Sequence, residues 1–121
     1  MHIVIFSDCY HPVLNGVVIS IDTFKNELQK RGHQFRIVTT RCPDYHQNDP
    51  QVIRFKPLLP FKPKGGLYPI ARPQFVNWQA GRIAHFRPDL IHSQHTIGLY
   101  LGNGWEIGVG FLGLKVAKKL G

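Results

Sequence analysis

The chain has 121 residues, 43% of them hydrophobic, and a formal net charge of +8 with histidine neutral. That length suits one domain or part of a larger one, and the apolar fraction excludes a disordered chain. No window reaches the about 18–20 apolar residues of a spanning helix, and Met1–Tyr10 lacks the basic start and long apolar run of a signal peptide, so the expectation is a soluble or at most peripheral protein. The positive balance attracts polyanions: nucleic acid, anionic lipid or phosphorylated small molecules; a merely solvated basic surface gives the same total. Cys9 and Cys42 form no CxxC and no Cys/His pair at zinc spacing, so no metal site is expected. Two cysteines make no disulfide framework, which points to a reducing cytosol.

His2-Ile3-Val4-Ile5-Phe6 reads as a strand covered on both faces, as in a parallel sheet. A polar, proline-bearing loop follows, and Asn15-Gly16 opens a helix over about Val17 to Arg31. Val17, Ile21, Phe24 and Leu28 form its expected buried stripe, with Lys25, Gln29 and Lys30 off it. Gly32 suits the left-handed position that closes a helix. Residues 34–40 read as a second strand and 51–55 as a third. This β–loop–α–turn–β order is the unit that winds a parallel sheet.

Residues 56–69, rich in proline and carrying Gly65-Gly66, read as a long surface loop. There Lys56, Lys62 and Lys64 alternate with Leu58, Leu59, Phe61 and Leu67. The pattern fits an anionic bilayer, with bases at headgroups and apolar tips dipping in; it equally fits an ordinary surface loop. A second helix is expected from Pro73 to Phe86, with Phe75, Trp78, Ile83 and Phe86 inward. Leu90-Ile91-His92 reads as a strand ending in a polar cluster. Beyond a glycine-rich stretch, residues 110–121 read as a helix with Leu112, Val116 and Leu120 aligned. An alternation that stops on a helix suggests the front part of a longer domain.

Two places carry candidate chemistry. A glycine at a helix N-terminus lets an anion approach unpaired backbone N–H groups, although a turn that needs positive φ gives the same residue. There is no G-x-G-x-x-G after the first strand and no G-x-x-x-x-G-K-[ST] anywhere, which disfavours a simple NAD-type dehydrogenase or P-loop enzyme. His92 and His95 sit where a fourth parallel strand ends, the edge where open α/β sheets bind ligands. Either serves as a general base, a phosphate donor or a sugar-hydroxyl partner, or simply bonds a neighbouring loop. Asp8 and Asp22 read as single acids with capping or surface roles.

The segment MHIVIFSDCYHPVLNGVVISIDTFKNELQKRGHQFRIVTT resembles the opening of family-4 retaining glycosyltransferases. The matching positions are Phe6-Ser7-Asp8, Tyr10, Pro12, Asn15-Gly16-Val17, Leu28, Gly32-His33 and Ile37-Val38-Thr39. RPDLIHSQHT and GLKVAKKLG are similar to a later strand and helix of the same family. Among its members the chain looks closest to those that glycosylate diacylglycerol-type lipids.

The resemblance implies a Rossmann-like parallel sheet flanked by helices: the N-terminal, acceptor-side half of a GT-B fold, incomplete at its C-terminal end and without the donor-binding domain. It implies transfer of a sugar from a nucleotide diphosphate-sugar to an acceptor hydroxyl with retention, as in a hexosyltransferase. Asn15, Gly16 and Val17 would meet the donor diphosphate, and His95, Thr96, Asp8 and Tyr10 would border the acceptor. Lys56, Lys62, Lys64 and Phe61 would touch the membrane. No cofactor, required metal or nucleic acid is implied. The expected location is the cytoplasm, peripheral on the inner face of the cell membrane. The family's key histidine would lie past Gly121, so the chain alone would be inactive. The link from 98 to 113 is longer than the family's usual one. The competing readings are a non-catalytic Rossmann-like module that binds a phosphorylated ligand or a protein, and an adaptor for anionic membranes.

Overall fold

The computed structural model describes residues 1–42, 45–46, 48–55, 76–94, 99–101, 105–107 and 109–121. The elements in chain order are β1 (His2–Phe6), α1 (Gly16–Lys30), β2 (Gln34–Thr40), β3 (Val52–Phe55), α2 (Val76–Ala84), β4 (Leu90–Ser93), β5 (Leu99–Leu101), β6 (Trp105–Ile107) and α3 (Val109–Leu120). Four strands form a parallel sheet in the order β3-β2-β1-β4. The Rossmann-like α/β reading is therefore correct.

Side chains alternate across a strand, and here both faces are covered. Ile3, Ile5, Phe35 and Ile37 pack on one face with Val18 and Ile21 of α1. Val4, Phe6 and Val38 pack on the other with Ala80 and Ile83 of α2 and Leu112 and Val116 of α3. Val4 and Phe6 have no exposed surface. This two-sided burial is why β1 reads as an almost unbroken apolar run.

Helix α1 ends as its glycine requires. Gly32 has φ +84. Its N–H donates to Gln29 O at 2.9 Å and that of His33 to Leu28 O at 3.1 Å, the paired bonds of a Schellman motif.

The inward face of α1 differs from the expected stripe. Phe24 is 56% exposed, whereas Val18 and Ile21 are buried and Leu28 partly so. Residues 18, 21, 25 and 28 make the inward row, so Lys25 faces inward, with a side chain only 14% exposed. Its ammonium lies 3.0 Å from Asp49 Oδ2, and Gln29 Nε2 donates to Gln51 Oε1 at 3.0 Å. A lysine can join an inward row when its stem packs and its head meets a carboxylate. Apolar periodicity does not register that.

Helix α2 begins at Val76 among the described residues, and Phe75 with the rest of 56–75 lies outside them. Ile83 is buried and Phe86 half-buried, as expected. Leu112 and Val116 are buried, but Leu120 is 38% exposed because it sits in the helix's last turn. The glycine-rich stretch holds an unexpected antiparallel pair, β5 with β6, in the register Leu99↔Ile107 and Leu101↔Trp105. The long link between β4 and α3 thus contains a hairpin.

Gly113 sets how closely α3 lies on the sheet. A Cβ there would sit 2.6 Å from Ser93 Oγ and 2.7 Å from Phe6 Cγ. Both neighbours belong to strands that cannot move aside independently.

Gly113→Ala is expected to destabilise the fold by about 1–3 kcal/mol through overpacking. Gly81→Ala, in α2 with nothing near its Cβ position among the described residues, is expected to stabilise by roughly 0.5–1 kcal/mol. Urea midpoints of the two variants check both signs.

A second expectation concerns acid. Burial of Asp49 opposes its ionisation, but the Gln51 N–H at 2.8 Å and the Lys25 ammonium outweigh this and hold the carboxyl below its usual value. A folded value below the unfolded one means stabilisation present above about pH 4 and lost as the pH falls through the folded value. Melting temperatures of the native chain should fall more steeply below pH 4 than those of Asp49→Asn.

Candidate functional site

The chain passes from β1 outward through β2 to β3, then returns to β4 on the other side of β1. In open α/β sheets ligands bind at the carboxyl ends of the strands where the order reverses, here between β1 and β4. Residues 7–15 leave β1 at this point, and Ser93-Gln94 leave β4. Ser7 is fully buried: its N–H donates to Val38 O at 3.0 Å and its Oγ to Cys9 O at 2.7 Å. The Gln94 N–H donates to Phe6 O at 2.9 Å, which carries the β1–β4 pairing one residue past β4.

Asn15 is the N-cap of α1, in extended backbone, and its Oδ1 accepts the Val18 N–H at 3.0 Å. Its Nδ2 lies 3.5 Å from Cys9 Sγ, which fixes the carboxamide's orientation. Gly16 and Val17 are then the first two helical residues, and their N–H groups have no partner inside the helix. Gly16 is exposed, its φ is not positive, and a Cβ there would meet nothing within 4 Å among the described residues. Turn geometry thus does not account for the glycine.

The rest of the loop is tied to α1 and β3. Asp22, two turns into the helix, accepts from the Tyr10 hydroxyl at 2.6 Å and has His11 Nε2 2.6 Å from its other oxygen. Tyr10 is 4% exposed. Burial first, then the bond to Asp22, push its phenol above the usual range, so it stays a neutral donor. Arg54 on β3 donates to His11 O and, at 2.8 Å, to Thr40 O, and lies over the Tyr45 ring. Burial presses its guanidinium below the usual value, opposed by Cys42 and Tyr45.

Asn15, Gly16, Val17, Asp8 and Tyr10 therefore share one loop and helix tip after the carboxyl end of β1. Tyr10 turns its hydroxyl to Asp22. Exposed His92 has Nε2 3.1 Å from Gln94 Oε1. His95, Thr96, Lys56, Phe61, Lys62 and Lys64 lie outside the described residues. Asp22 and Arg54 are the positions sequence reasoning missed. Their partners stand on other elements, and the one available signal was Asp22 falling off the apolar stripe. Among the described residues no three His, Cys, Asp or Glu side chains are grouped to hold a metal ion, and no helix is long and apolar enough to cross a membrane.

A parallel sheet whose first helix presents a capped, glycine-bearing tip at the strand-order reversal defines a Rossmann-like domain. Comparison with known proteins narrows this. The model of Glycosyltransferase Family 4 matches residues 14–107, most of the chain, and the chain belongs to that family. It is similar to the alpha-monoglucosyldiacylglycerol synthase of Acholeplasma laidlawii, 34% identical over 98% of the chain and 27% of the relative. It is also similar to the enzyme of the same name from Streptococcus pneumoniae (strain ATCC BAA-255 / R6), 34% identical over 99% of the chain and 24% of the relative. The chain thus spans about a quarter of the length of the curated relatives it matches. No solved structure matches it significantly.

Asn15→Ala is expected to cost about 1 kcal/mol through loss of the cap, and Asn15→Asp to cost less because it keeps an acceptor for Val18 N–H. Chemical denaturation of the two variants checks this order.

Proposed function

We propose that this chain is the acceptor-side, N-terminal domain of a retaining glycosyltransferase, one that moves a hexose from a nucleotide diphosphate-sugar to a hydroxyl of a diacylglycerol-type lipid. The carrying observation is Gly16: exposed, first in its helix, and glycine for no reason found among the described residues. Family membership and the names of the relatives support the reaction and the acceptor class.

In this reading the Gly16 and Val17 N–H groups face the diphosphate as its bond to the anomeric carbon lengthens and negative charge builds on the leaving group. An open helix end is worth about 0.3–1 kcal/mol to an anion. A single preorganised donor in a water-excluded site is worth about 2.7–4 kcal/mol. The tip therefore acts mainly when covered. Exposed Leu14 and Ile19 beside it support a tip that is covered during the reaction. In this reading the cover and the remaining donor contacts belong to the donor-binding domain of such an enzyme. By sequence position His95 and Thr96, just past Gln94, would border the acceptor with Asp8 and Tyr10. Lys56, Phe61, Lys62 and Lys64 would meet an anionic inner membrane surface, which the net charge of +8 favours.

The test is a transfer assay on the polypeptide encoded by the whole reading frame that contains this chain, with nucleotide-sugars and diacylglycerol lipids in vesicles. Sugar should appear on the lipid. Gly16→Val should lower kcat/KM about tenfold or more with the melting temperature unchanged. Equal loss of activity and stability, or no transfer to any lipid, would overturn the proposal.

A further inference from the structure

We infer that His11 binds the hydroxyl of the lipid acceptor: Asp22 holds its Nε2–H and leaves Nδ1 to receive the hydroxyl's hydrogen. The inference rests on reading the chain as part of a transferase to a lipid hydroxyl, and not on the role of Gly16.

The tautomer follows from what surrounds Asp22. An ionised carboxylate accepts hydrogen bonds and donates none. One Asp22 oxygen takes the Tyr10 hydroxyl at 2.6 Å, and the other lies 2.6 Å from His11 Nε2. Tyr10 stays protonated, because burial and then this same bond push its phenol above the usual range. Nε2 must therefore carry a hydrogen as well. A neutral imidazole has one N–H and one bare nitrogen, so Nδ1 becomes a hydrogen-bond acceptor. In the same way the acid of a catalytic triad sets the tautomer of its histidine.

Among the described residues no group bonds Nδ1. The His11 side chain is 37% exposed, so a ligand can reach it. The ring is also held in place. Arg54 on β3 donates to His11 O, and the Tyr10 and His11 rings meet edge to face with centroids 4.8 Å apart. Charge selects the ligand. The Asp22 carboxylate lies against the imidazole, which disfavours a phosphate there and suits an uncharged hydroxyl. Asp22 stands six residues past Gly16, about 9 Å along the helix axis, so the ring it holds flanks α1 instead of facing its end.

The experiment measures transfer by the polypeptide encoded by the whole reading frame, varying nucleotide-sugar and diacylglycerol lipid separately. It is run at about pH 8, where an ordinary imidazole is neutral. His11→Gln puts a carboxamide nitrogen near the place of Nε2, so it keeps the bond to Asp22 and loses the hydrogen-bond acceptor. It should lower kcat/KM for the lipid about three- to tenfold, with the nucleotide-sugar KM and the melting temperature unchanged. His11→Asn puts an oxygen near the place of Nδ1 and should recover part of that loss, although it breaks the tie to Asp22. In Asp22→Asn the carboxamide oxygen stays on the Tyr10 hydroxyl and its nitrogen faces His11. Nε2 then accepts, Nδ1 carries the hydrogen, and kcat/KM for the lipid should fall as in His11→Gln. The 15N shifts of the His11 ring nitrogens report that exchange directly. If His11→Gln does not fold, Asp22→Asn and the ring shifts decide. Native kinetics in both variants, His11→Asn poorer than His11→Gln as a purely structural tie requires, or a hydrogen on Nδ1 of the native enzyme would overturn the inference while leaving the transferase reading intact. No transfer by the native enzyme would overturn that reading and this inference with it.

Discussion

The carboxyl edge of the sheet depends on β1 being enclosed on four sides. It is paired on both edges, by β2 and β4, and covered on both faces, by α1 and by α2 with α3. Fully buried Val4 and Phe6 then contribute about 1.5–3 kcal/mol each. This enclosure fixes where Ser7 emerges, and so where the loop begins and the helix tip ends. Gly113 is part of the same constraint. Without a Cβ, α3 rests directly on Phe6 and Ser93, the last residues of β1 and β4.

Rigidity at this edge is built mostly from polar contacts. Ser7, Asn15, Asp22 and Arg54 each bond a backbone or side-chain group of the 7–15 loop. One such bond nets only about 0.5–1.5 kcal/mol, yet leaving a buried member unpaired costs about 1–3 kcal/mol. The set therefore contributes modestly to overall stability and strongly to having a single loop conformation. That suits the proposed role of the Gly16 and Val17 N–H groups, which needs them at a fixed place.

Much of this was legible in the sequence, for physical reasons. β1 is an apolar run because both its faces are covered, and Gly32 marks the end of α1 because only a left-handed residue makes the Schellman bonds. The Asn15-Gly16-Val17 motif located the tip because a cap acts over three residues. What was hidden depends on distant partners. Lys25 turned inward because Asp49 waits 24 residues later, and Asp22 looked like a surface acid until Tyr10 and His11 folded onto it. The hairpin of β5 and β6 was missed for another reason. Its strands are three residues each, too short for alternation to stand out from the glycines around them.

The strand order also has a consequence for synthesis on the ribosome. β3, β2 and β1 are complete once Phe55 has been made, whereas the partner for the free side of β1 ends at Ser93. At about 5–20 residues per second, the nascent chain carries an apolar strand with one open ladder for a few seconds. Such a strand readily pairs with another chain. The interval before β4 arrives is thus when this polypeptide is most exposed to aggregation, and a chaperone that shields the unpaired side of β1 would have most effect then.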